Sequence, residues 1–346
     1  MLDPVSNAPS PSSPAIDQNS RAGLSAWRAV QRLSPFALVA LSFVLLRKQL
    51  PGAVHALVHA RPIALLCVPL FFAWNEIATI AWRGLLRASG VTAPSLGRLV
   101  RLRIEAQAVN QIVPAAGLAG EGMRAVRAAR PGELAAASFA TLLDNVAGAI
   151  SGLVFAAGAL GLRLQARALA GNELKTLTLT TLAALALLVV AVAVPFQLGH
   201  KLVPRLAPGG RAHRLLAPFA DRRLSIRRAL RDAVGLRFCE RILSGAEVYV
   251  FFAALGAPVD VADAALITSV FIVVSFTVFF LPGQLGAAEA AVAITSTLIG
   301  VPAAIGLSVA LLRRSRQLGV CVMGLVSILS QRQRELSLPA QVEKAP

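Results

Sequence analysis

The segment PAAGLAGE, residues 114–121, decides the fold that this sequence predicts. It places a proline, two glycines and a glutamate between the helical stretch RLRIEAQAVNQIV and the basic stretch GMRAVRAAR. Proline removes a backbone donor from a helix and glycine permits a tight turn, so the segment predicts a helix break. The segment PGQLGAAE, residues 282–289, repeats the pattern, with a glutamate again seven residues after the proline.

The composition around these two segments is that of a membrane protein. Of the 346 residues, 56% are hydrophobic and 15% are charged, whereas soluble domains carry roughly 25% charged residues. Several apolar runs approach the ~20 residues that a helix needs to cross the hydrocarbon core of a bilayer. The sequence therefore predicts an all-α polytopic membrane protein with about seven to nine hydrophobic helices.

Polar segments bound the predicted membrane domain, which covers residues 33–331. Residues 1–22 are rich in proline and serine, which is typical of a disordered tail, and residues 332–346 form a short polar C-terminal tail. The predicted membrane helices are 33–46, 62–82, 134–160, 174–198, 238–256, 264–281, a helix that ends at Gly300 and a final helix from Pro302 to about Leu329.

The basic residues are distributed as in the cytoplasmic loops of a membrane protein. The net charge is +17, but the Lys and Arg residues cluster between apolar runs instead of on one soluble domain. The hydrophilic loop 199–237 holds ten of them and marks the cytoplasmic side most strongly. We therefore expect a cytoplasmic N-terminus, the lipid bilayer as the surroundings of the chain, and no nucleic-acid partner.

Counting spans from loop 199–237 places both flanks of the first break on one side of the membrane. The basic clusters within 83–103 and 124–130 are then both cytoplasmic. A chain that enters and leaves on one side is a re-entrant hairpin, and its irregular backbone is tolerated where protein or water surrounds it. The sequence predicts one such hairpin at each break.

The two breaks also indicate an internal duplication. Pro114 and Glu121 fall on Pro282 and Glu289 at an offset of 168 residues, and glycines 90 and 256 align at an offset of 166. An odd number of spans separates the two breaks, so the second hairpin opens to the opposite side. The sequence therefore predicts two inverted repeat halves, about 62–198 and 236–331, which is an architecture of secondary transporters.

Ionisable residues at membrane depth are costly and usually line a cavity or pair with one another. For Glu121 and Glu289 we favour a functional role, because the break recurs around both. For Asp144 and the arginines of the last helix, a functional role and a structural ion pair both remain open. The full set at predicted membrane depth is Glu76, Glu105, Glu121, Asp144, Glu240, Glu247, Glu289, Arg313, Arg314 and Arg316.

Two of these acids have a local explanation. Glu105 lies beside Arg101 and Arg103, which predicts an ion pair at the membrane interface. Glu76 shares a helical face with Thr79 and Arg83 and could be satisfied there.

The sequence predicts neither a cofactor nor a metal. Its three cysteines are far apart, and no CxxC or zinc spacing is present. His55 and His59 have the i, i+4 spacing of a helical metal site, but no third ligand is near them in the sequence. No P-loop, HExxH or GxSxG motif occurs, so a nucleotide-driven pump or a hydrolase is not supported.

The two break segments resemble those of the lysylphosphatidylglycerol synthase transmembrane family, also described as flippase-like. The family's first block is an Asn, a Pro and a Gly-Glu followed by Arg; its second is PGxLGxxE, followed by a basic cluster on the last helix. The matching residues are Asn110, Pro114, Gly120, Glu121, Arg124, Pro282, Gly283, Gly286, Glu289 and the arginines of LLRRSRQL, residues 311–318. The resemblance covers roughly residues 35–330. The sequence is also similar to a branch of this family that is associated with hopanoid biosynthesis.

The resemblance implies a protein of the bacterial inner membrane that moves a lipid between leaflets, or assists in moving it. The lipid would be a phospholipid, an aminoacyl-phospholipid or a hopanoid-type lipid, and enzymes of lipid biosynthesis would be candidate partners. The translocation site would comprise Asn110, Pro114, Glu121, Arg124, Asp144, Pro282, Gly283, Gly286, Glu289, Arg313, Arg314 and Arg316. The founding members carry a soluble aminoacyl-transferase domain after the membrane part, and we expect none in the residues that follow the last helix here.

Two other functions are compatible with the same residues. The acids could act in general acid–base catalysis by an enzyme of lipid modification, although no nucleotide or metal motif accompanies them. The chain could instead be a subunit of a lipid-biosynthetic complex that transports nothing. We favour a non-enzymatic role.

Overall fold

The computed structural model describes residues 47–113, 118–166, 222–257, 259–277 and 286–337. Every regular element in these ranges is helical, in agreement with the all-α prediction. A short 3-10 helix, Pro62–Leu66, leads into α2. The α-helices are α1 (Leu50–Val58), α2 (Cys67–Ala88), α3 (Leu96–Ile112), α4 (Leu118–Ala128), α5 (Leu134–Ala166), α6 (Arg223–Ala254), α7 (Val261–Thr277), α8 (Ala287–Leu298) and α9 (Ala303–Ser337).

Two helical segments in the described ranges are long and apolar enough to cross a membrane. They are Pro62–Ala88, with 27 residues, and Leu134–Arg163, with 30 residues. At a rise of about 1.5 Å per residue, each exceeds the ~30 Å of a bilayer core. Both coincide with spans predicted from the sequence, at 62–82 and 134–160.

The order and lengths of the helices repeat along the chain. Helices α3 and α7 each have 17 residues. Helix α4 has 11 residues and α8 has 12, while α5 has 33 and α9 has 35. The helices α3, α4 and α5 therefore have counterparts of similar length in α7, α8 and α9, whereas α2 has 22 residues and α6 has 32.

Helices α2 and α6 also end in the same way. Gly90 follows α2 with a φ of 90°, and Gly256 follows α6 with a φ of 70°. After each glycine, the next amide donates to a carbonyl five residues earlier, at 2.9 and 3.0 Å. The left-handed conformation favours glycine at this position. It lets the next amide donate a hydrogen bond to a carbonyl of the last helical turn that would otherwise have no partner. The two glycines are the pair that the sequence aligned at an offset of 166.

Helices of each series, α2–α5 or α6–α9, pack against helices of the other series. Helix α2 packs along α6, α3 packs on α9, and α7 packs on α5. Within each series, α3 contacts α4 and α7 contacts α8. The contact of α3 with α9 therefore has a counterpart in the contact of α7 with α5, and the contact of α3 with α4 has one in that of α7 with α8.

Two apolar clusters fill the interior. The first lies among α2, α3, α5 and α6 and is centred on Trp82, Leu85 and Leu99, all fully buried. The second lies among α6, α7, α8 and α9 and includes Phe252 and Val292, also fully buried. Helix α6 contributes to both clusters, so it joins the two series.

Parts of the predicted organisation differ from the structure. Residues 223–237, predicted as the end of a loop, form the first turns of α6, and the last helix runs to Ser337, into the predicted polar tail. Arginine, leucine and alanine are strong helix formers, and Ile226 and Ala233 bury an apolar stripe in the first cluster despite the surrounding arginines. The spans predicted at 33–46 and 174–198 lie outside the described residues.

A polar clip joins two loops at one end of the bundle. The Thr92 hydroxyl donates to Glu133 Oε1 at 2.7 Å, and the Thr92 amide donates to the same atom at 3.1 Å. The Arg130 amide donates to Glu133 Oε2 at 3.2 Å. These hydrogen bonds, that of the Thr92 hydroxyl first, hold the pKa of the Glu133 carboxyl below its usual range. The clip fastens the α2–α3 loop to the α4–α5 loop.

Candidate functional site

Asp144 of α5 is the centre of a buried group of charges. Arg124 of α4 donates to its Oδ2 atom at 2.9 Å, and Arg103 of α3 lies 3.2 Å from the same atom. Arg237 of α6 approaches Oδ1 at 3.2 Å. Asp144 is fully buried, and each arginine is at least nine-tenths buried. One carboxylate therefore holds together four helices.

Further charges extend this group along α4 and α6. Arg124 also pairs with Glu121, and Arg237 donates to Glu240 Oε2 at 2.6 Å. Arg241 lies 3.6 Å from Glu240 Oε1. We use the name first ionic cluster for Arg103, Glu121, Arg124, Asp144, Arg237, Glu240 and Arg241. The cluster contains four guanidinium groups and three carboxylates.

An aromatic ring supports the buried Arg124 side chain. The guanidinium carbon lies 4.6 Å from the centroid of the Trp82 ring, a cation–π distance. The Trp82 indole donates to the Thr141 hydroxyl at 3.2 Å, which fixes the ring. Arg124 Nη2 also donates to Asn145 Oδ1 at 3.3 Å. Arg124 is thereby held in one orientation towards Asp144.

The first break is closed by a hydrogen bond between two residues of the motif. The Gly120 amide donates to the Asn110 side-chain oxygen at 2.8 Å. A Cβ at Gly120 would lie 2.1 Å from the Ala106 carbonyl oxygen, so only glycine permits this contact between α3 and α4. Asn110 and Gly120 therefore fix the close packing of α4 on α3, and this packing places Glu121 and Arg124 in the cluster.

The second break carries a similar acid near an arginine of α9. Arg314 donates to Glu289 Oε1 through Nη2 at 2.7 Å and through Nε at 3.0 Å. The other oxygen, Oε2, accepts the Gly286 amide at 2.9 Å. Gly286 precedes α8 with a φ of 81°, a left-handed conformation that favours glycine. Glu289 thus caps α8 and anchors it to α9.

The neighbouring arginines of α9 face α6 and α7. Arg316 Nε lies 2.5 Å from Oε1 of the fully buried Glu247, and its guanidinium carbon lies 5.0 Å from the Phe71 ring centroid. The Arg313 guanidinium carbon lies 4.1 Å above the Phe271 ring. We call Glu247, Glu289, Arg313, Arg314 and Arg316 the second ionic cluster, with three guanidinium groups and two carboxylates.

The two clusters occupy corresponding places in the two series of helices. Asp144 is the eleventh residue of α5, and Arg313 is the eleventh residue of α9. Glu121 and Glu289 both lie in the first turn of the short helix after a break. Each cluster therefore combines an acid beside a break with charged residues in the first third of the long helix that follows it.

The structure brings together most of the predicted site residues. Asn110, Glu121, Arg124 and Asp144 meet in or beside the first cluster, whereas Gly286, Glu289, Arg313, Arg314 and Arg316 meet in or beside the second. Pro114, Pro282 and Gly283 lie outside the described residues.

Glu105 makes a different set of contacts from the predicted one. Arg101 lies 3.7 Å from Oε1, but the shorter ion pair is with Arg127 of α4, at 2.6 Å. Ser327 and Gln331 of α9 each donate to Oε1 at 2.5 Å. Since Glu105 is fully buried, it fastens α3 to α4 and α9.

Glu76 also differs from its predicted environment. Its side chain is exposed on α2, and no ion pair or hydrogen bond of it is found within the described ranges. Thr79, one of its two predicted neighbours, is fully buried and donates its hydroxyl to the Asn75 carbonyl at 2.7 Å, and the other, Arg83, makes no ion pair with Glu76. The Glu76 side chain therefore lies at the surface, whereas the Thr79 side chain lies in the interior.

Sequence reasoning missed three arginines of the first cluster. Arg103 was paired with Glu105, Arg237 was assigned to a loop, and Arg241 was not selected. The signal was present in α6, where Arg237, Glu240 and Arg241 have the i, i+3 and i+4 spacing of one helical face. Recognising it requires residues 223–237 to be read as helix.

The chemistry of both clusters suits an anion. Guanidinium groups outnumber carboxylates in each, and arginine binds phosphate or carboxylate through two parallel hydrogen bonds. The described residues include no group of three or more His, Cys, Asp or Glu side chains placed to hold a metal. His59 Nδ1 instead contacts the His55 carbonyl oxygen at 2.8 Å.

A comparison with protein families agrees with this arrangement. The family model of the lysylphosphatidylglycerol synthase TM region matches residues 29–324. The chain belongs to this family. The match covers both break segments, both ionic clusters and most of α9. Searches of curated proteins and of solved structures returned no significant match.

Membership of the lysylphosphatidylglycerol synthase TM family supports an integral membrane protein with a role connected with membrane lipids. The two long apolar helical segments are consistent with that location.

Proposed function

We propose that this chain moves a lipid between the leaflets of the bacterial inner membrane, or assists in moving it. The observation that carries the proposal is the pair of buried ionic clusters at corresponding positions of two similar helix series. Ionisable groups at membrane depth are costly unless they pair or line a substrate path. Two such groups on equivalent helices provide two polar positions for one headgroup.

The proposed architecture is a pair of inverted repeats, each with a re-entrant hairpin at its break. Two observations support it: the reciprocal packing of α3 on α9 and α7 on α5, and the similar lengths of α3–α5 and α7–α9. Transporters of this type bind substrate near the bilayer midplane between the halves, beside broken helices. Helix α6, which joins the two apolar clusters, would lie at that boundary.

The proposed mechanism exchanges ion pairs within the protein for ion pairs with the headgroup. A headgroup that enters a cluster replaces part of the network around Asp144 or Glu289, while the acyl chains stay in the bilayer. The transfer changes no covalent bond, so no catalytic residue is assigned. The N-terminus is placed on the cytoplasmic side, from the basic segments, and enzymes of lipid biosynthesis are the partners expected to supply the lipid.

Reconstitution into vesicles with a fluorescent lipid in one leaflet tests the proposal. Wild-type protein is expected to expose the lipid to a membrane-impermeant quencher faster than empty vesicles do. Glu121→Gln and Glu289→Gln remove the two break acids and should each slow the exposure at least tenfold. Glu76→Gln is the matched control, because Glu76 has the same chemistry but lies exposed on α2.

Absence of lipid movement by wild-type protein, across phospholipid, aminoacyl-phospholipid and hopanoid-type probes, would count against the function. Wild-type rates in both Gln variants would count against the assigned residues alone. Elution of each variant as a folded species in detergent separates a loss of activity from a loss of structure.

A further inference from the structure

We propose that two polar contacts, one between α3 and α9 and one between α5 and α7, act as latches that open alternately. Each contact joins a helix of one series to a helix of the other. The inference rests on the proposed function, and it names the device by which the two halves would open to one side of the membrane at a time. In transporters built from inverted repeats, one half rocks against the other around a fixed substrate site.

The α3–α9 latch consists of Glu105, Ser327 and Gln331. The Ser327 hydroxyl and the Gln331 amide of α9 each donate to Glu105 Oε1 at 2.5 Å. The other oxygen, Oε2, binds Arg127 of α4 at 2.6 Å. Both donors from α9 are neutral, so the buried carboxylate keeps its cation when they leave. Opening this latch therefore avoids the uncompensated charge that makes a buried ion pair costly to break.

The α5–α7 latch consists of Arg163, Asp260 and Asp263. Arg163 Nη2 lies 2.9 Å from Asp263 Oδ1, and Nη1 lies 3.5 Å from Asp260 Oδ2. Asp260 Oδ1 also accepts the Asp263 amide at 2.7 Å, which fixes both acids at the start of α7. The Asp260 side chain is 57% exposed, so this latch borders the surface and its charges can be hydrated when it opens.

The two latches lie at different depths of the bundle. Helices α3 and α5 both start near the Glu133 clip, and they meet again where Arg103 contacts Asp144. Glu105 lies two residues beyond Arg103 on α3. Arg163 lies 19 residues beyond Asp144 on α5, which is about 28 Å at a rise of about 1.5 Å per residue. One latch therefore joins the helices in the half of the bundle near the clip, and the other joins them at the opposite end.

Away from the latches, the same helix pairs pack through small or apolar residues. A Cβ at Gly324 of α9 would lie 2.6 Å from the Ala108 Cβ of α3, so these helices approach closely. Leu153 and Ala156 of α5 pack with Val273 of α7. Lipid chains are as apolar as these surfaces, so burying them gives little driving force for association in a membrane. The polar contacts therefore contribute a large share of the free energy that keeps each pair closed.

Labelling of single cysteines in the full-length chain, reconstituted into vesicles, tests the device. Native Cys321 reports on the α3–α9 contact, because it is half-buried with Sγ 4.0 Å from the Ala108 carbonyl oxygen. Ala156→Cys reports on the α5–α7 contact, because Ala156 is buried beside Val273. In each chain the other native cysteines are replaced by alanine, and the rate of reaction with a water-soluble maleimide is measured.

Removing the α9 donors with Ser327→Ala and Gln331→Ala should raise the labelling rate of Cys321 about fivefold or more. The same change should lower the rate at position 156 about twofold or more, because a state that gains population at one end draws it from the state open at the other. Arg163→Gln should have the reverse effect at both positions. Arg163→Lys keeps the charge without the fork of donors and should act in the same direction but less strongly. If Arg163→Gln does not fold, this Lys variant still provides the test.

Each latch has a matched control. Ser330→Ala combined with Gln333→Ala changes the same two residue types at exposed positions of α9. Arg61→Gln removes an exposed arginine at the end of the bundle where α7 starts, since the Arg61 amide donates to the carbonyl of Ala254, the last residue of α6. Both controls should be labelled at the wild-type rate.

Opposite changes at the two reporters, absent from the controls, would support the alternating latches. Faster labelling at both positions in either variant would show that the contacts only hold the fold together, and unchanged labelling would show that they do not keep the helices closed. Either result would overturn the proposal. If the opposite changes occur but wild-type protein moves no lipid in vesicles, the proposed function fails and the latches stand. Lipid movement without the opposite changes would overturn the latches and leave the function intact.

Discussion

Arg124 donates to Asp144 across 2.9 Å, and their side chains are 2% and 0% exposed. This ion pair joins α4, the short helix after the first break, to the long helix α5. Asp144 also holds Arg103 and Arg237, so a single carboxylate balances three guanidinium groups from three helices. Removing its charge should disturb the whole bundle.

Asp144→Asn keeps the size of the side chain and removes the charge. We expect the free energy of unfolding to fall by about 3–5 kcal/mol, since three buried cations lose their shared partner. An SDS unfolding titration of the purified protein measures the change. Asp232→Asn is the control, because Asp232 is exposed on α6 and pairs there with its exposed neighbour Arg231. It should change the stability by less than about 1 kcal/mol. Similar effects in both variants would contradict the central role of Asp144.

The Glu289–Arg314 pair offers a second test, by a double-mutant cycle. Both side chains are mostly buried, and Glu289 Oε1 accepts two hydrogen bonds from Arg314. We expect a coupling energy of about 1–3 kcal/mol between Glu289→Gln and Arg314→Gln. The same cycle on the exposed pair Arg231 and Asp232 should give less than about 1 kcal/mol. Additive effects at Glu289 and Arg314 would show that the pair does not anchor α8 to α9.

The clip at Glu133 predicts a dependence of stability on pH. Because its folded pKa is lowered, the carboxylate contributes stability above its unfolded pKa of about 4.3. That contribution is lost as the pH falls through the lower, folded pKa. Glu133→Gln should therefore reduce the free energy of unfolding at pH 7 and converge with wild type in acid. A difference that is constant from pH 7 to pH 3 would exclude the proposed ionisation.

The sequence predicts the fold where apolar runs are long and the breaks contain proline and glycine. The spans 62–82 and 134–160 are found as helices, and the alignment of Gly90 with Gly256 matches two left-handed helix ends. The prediction fails at residues 223–237, because counting arginines cannot distinguish a basic loop from a helix. This helix buries Ile226, Ala233 and Arg237, while Arg227, Arg228 and Arg231 are exposed.

The site is predictable in its residue types but not in its pairing. Glu121, Asp144 and Glu289 are conspicuous because charge is costly at membrane depth. Which arginine meets which acid depends on how the helices pack, and Arg103 turns from its neighbour Glu105 to Asp144 for that reason. Local spacing contains no information about such contacts between distant helices.

The contact of α3 with α4 at the first break makes the sharpest prediction about the motif. A methyl group at Gly120 would lie 2.1 Å from the Ala106 carbonyl oxygen and 2.6 Å from the Asn110 side-chain oxygen, whereas one at Gly122 meets nothing within 4 Å. Gly120→Ala should therefore push α4 away from α3 and lower the free energy of unfolding by about 1–3 kcal/mol.

Gly122→Ala is its matched control in the same helix. Because alanine favours a helix interior over glycine by about 0.5–1 kcal/mol, this variant should be as stable as wild type or more stable. SDS unfolding titrations of both variants measure the difference. Lipid movement should slow in Gly120→Ala alone, since Glu121 and Arg124 follow the displaced turn. Equal stability of the two alanine variants would mean that the close approach of α3 and α4 does not set the geometry of the break.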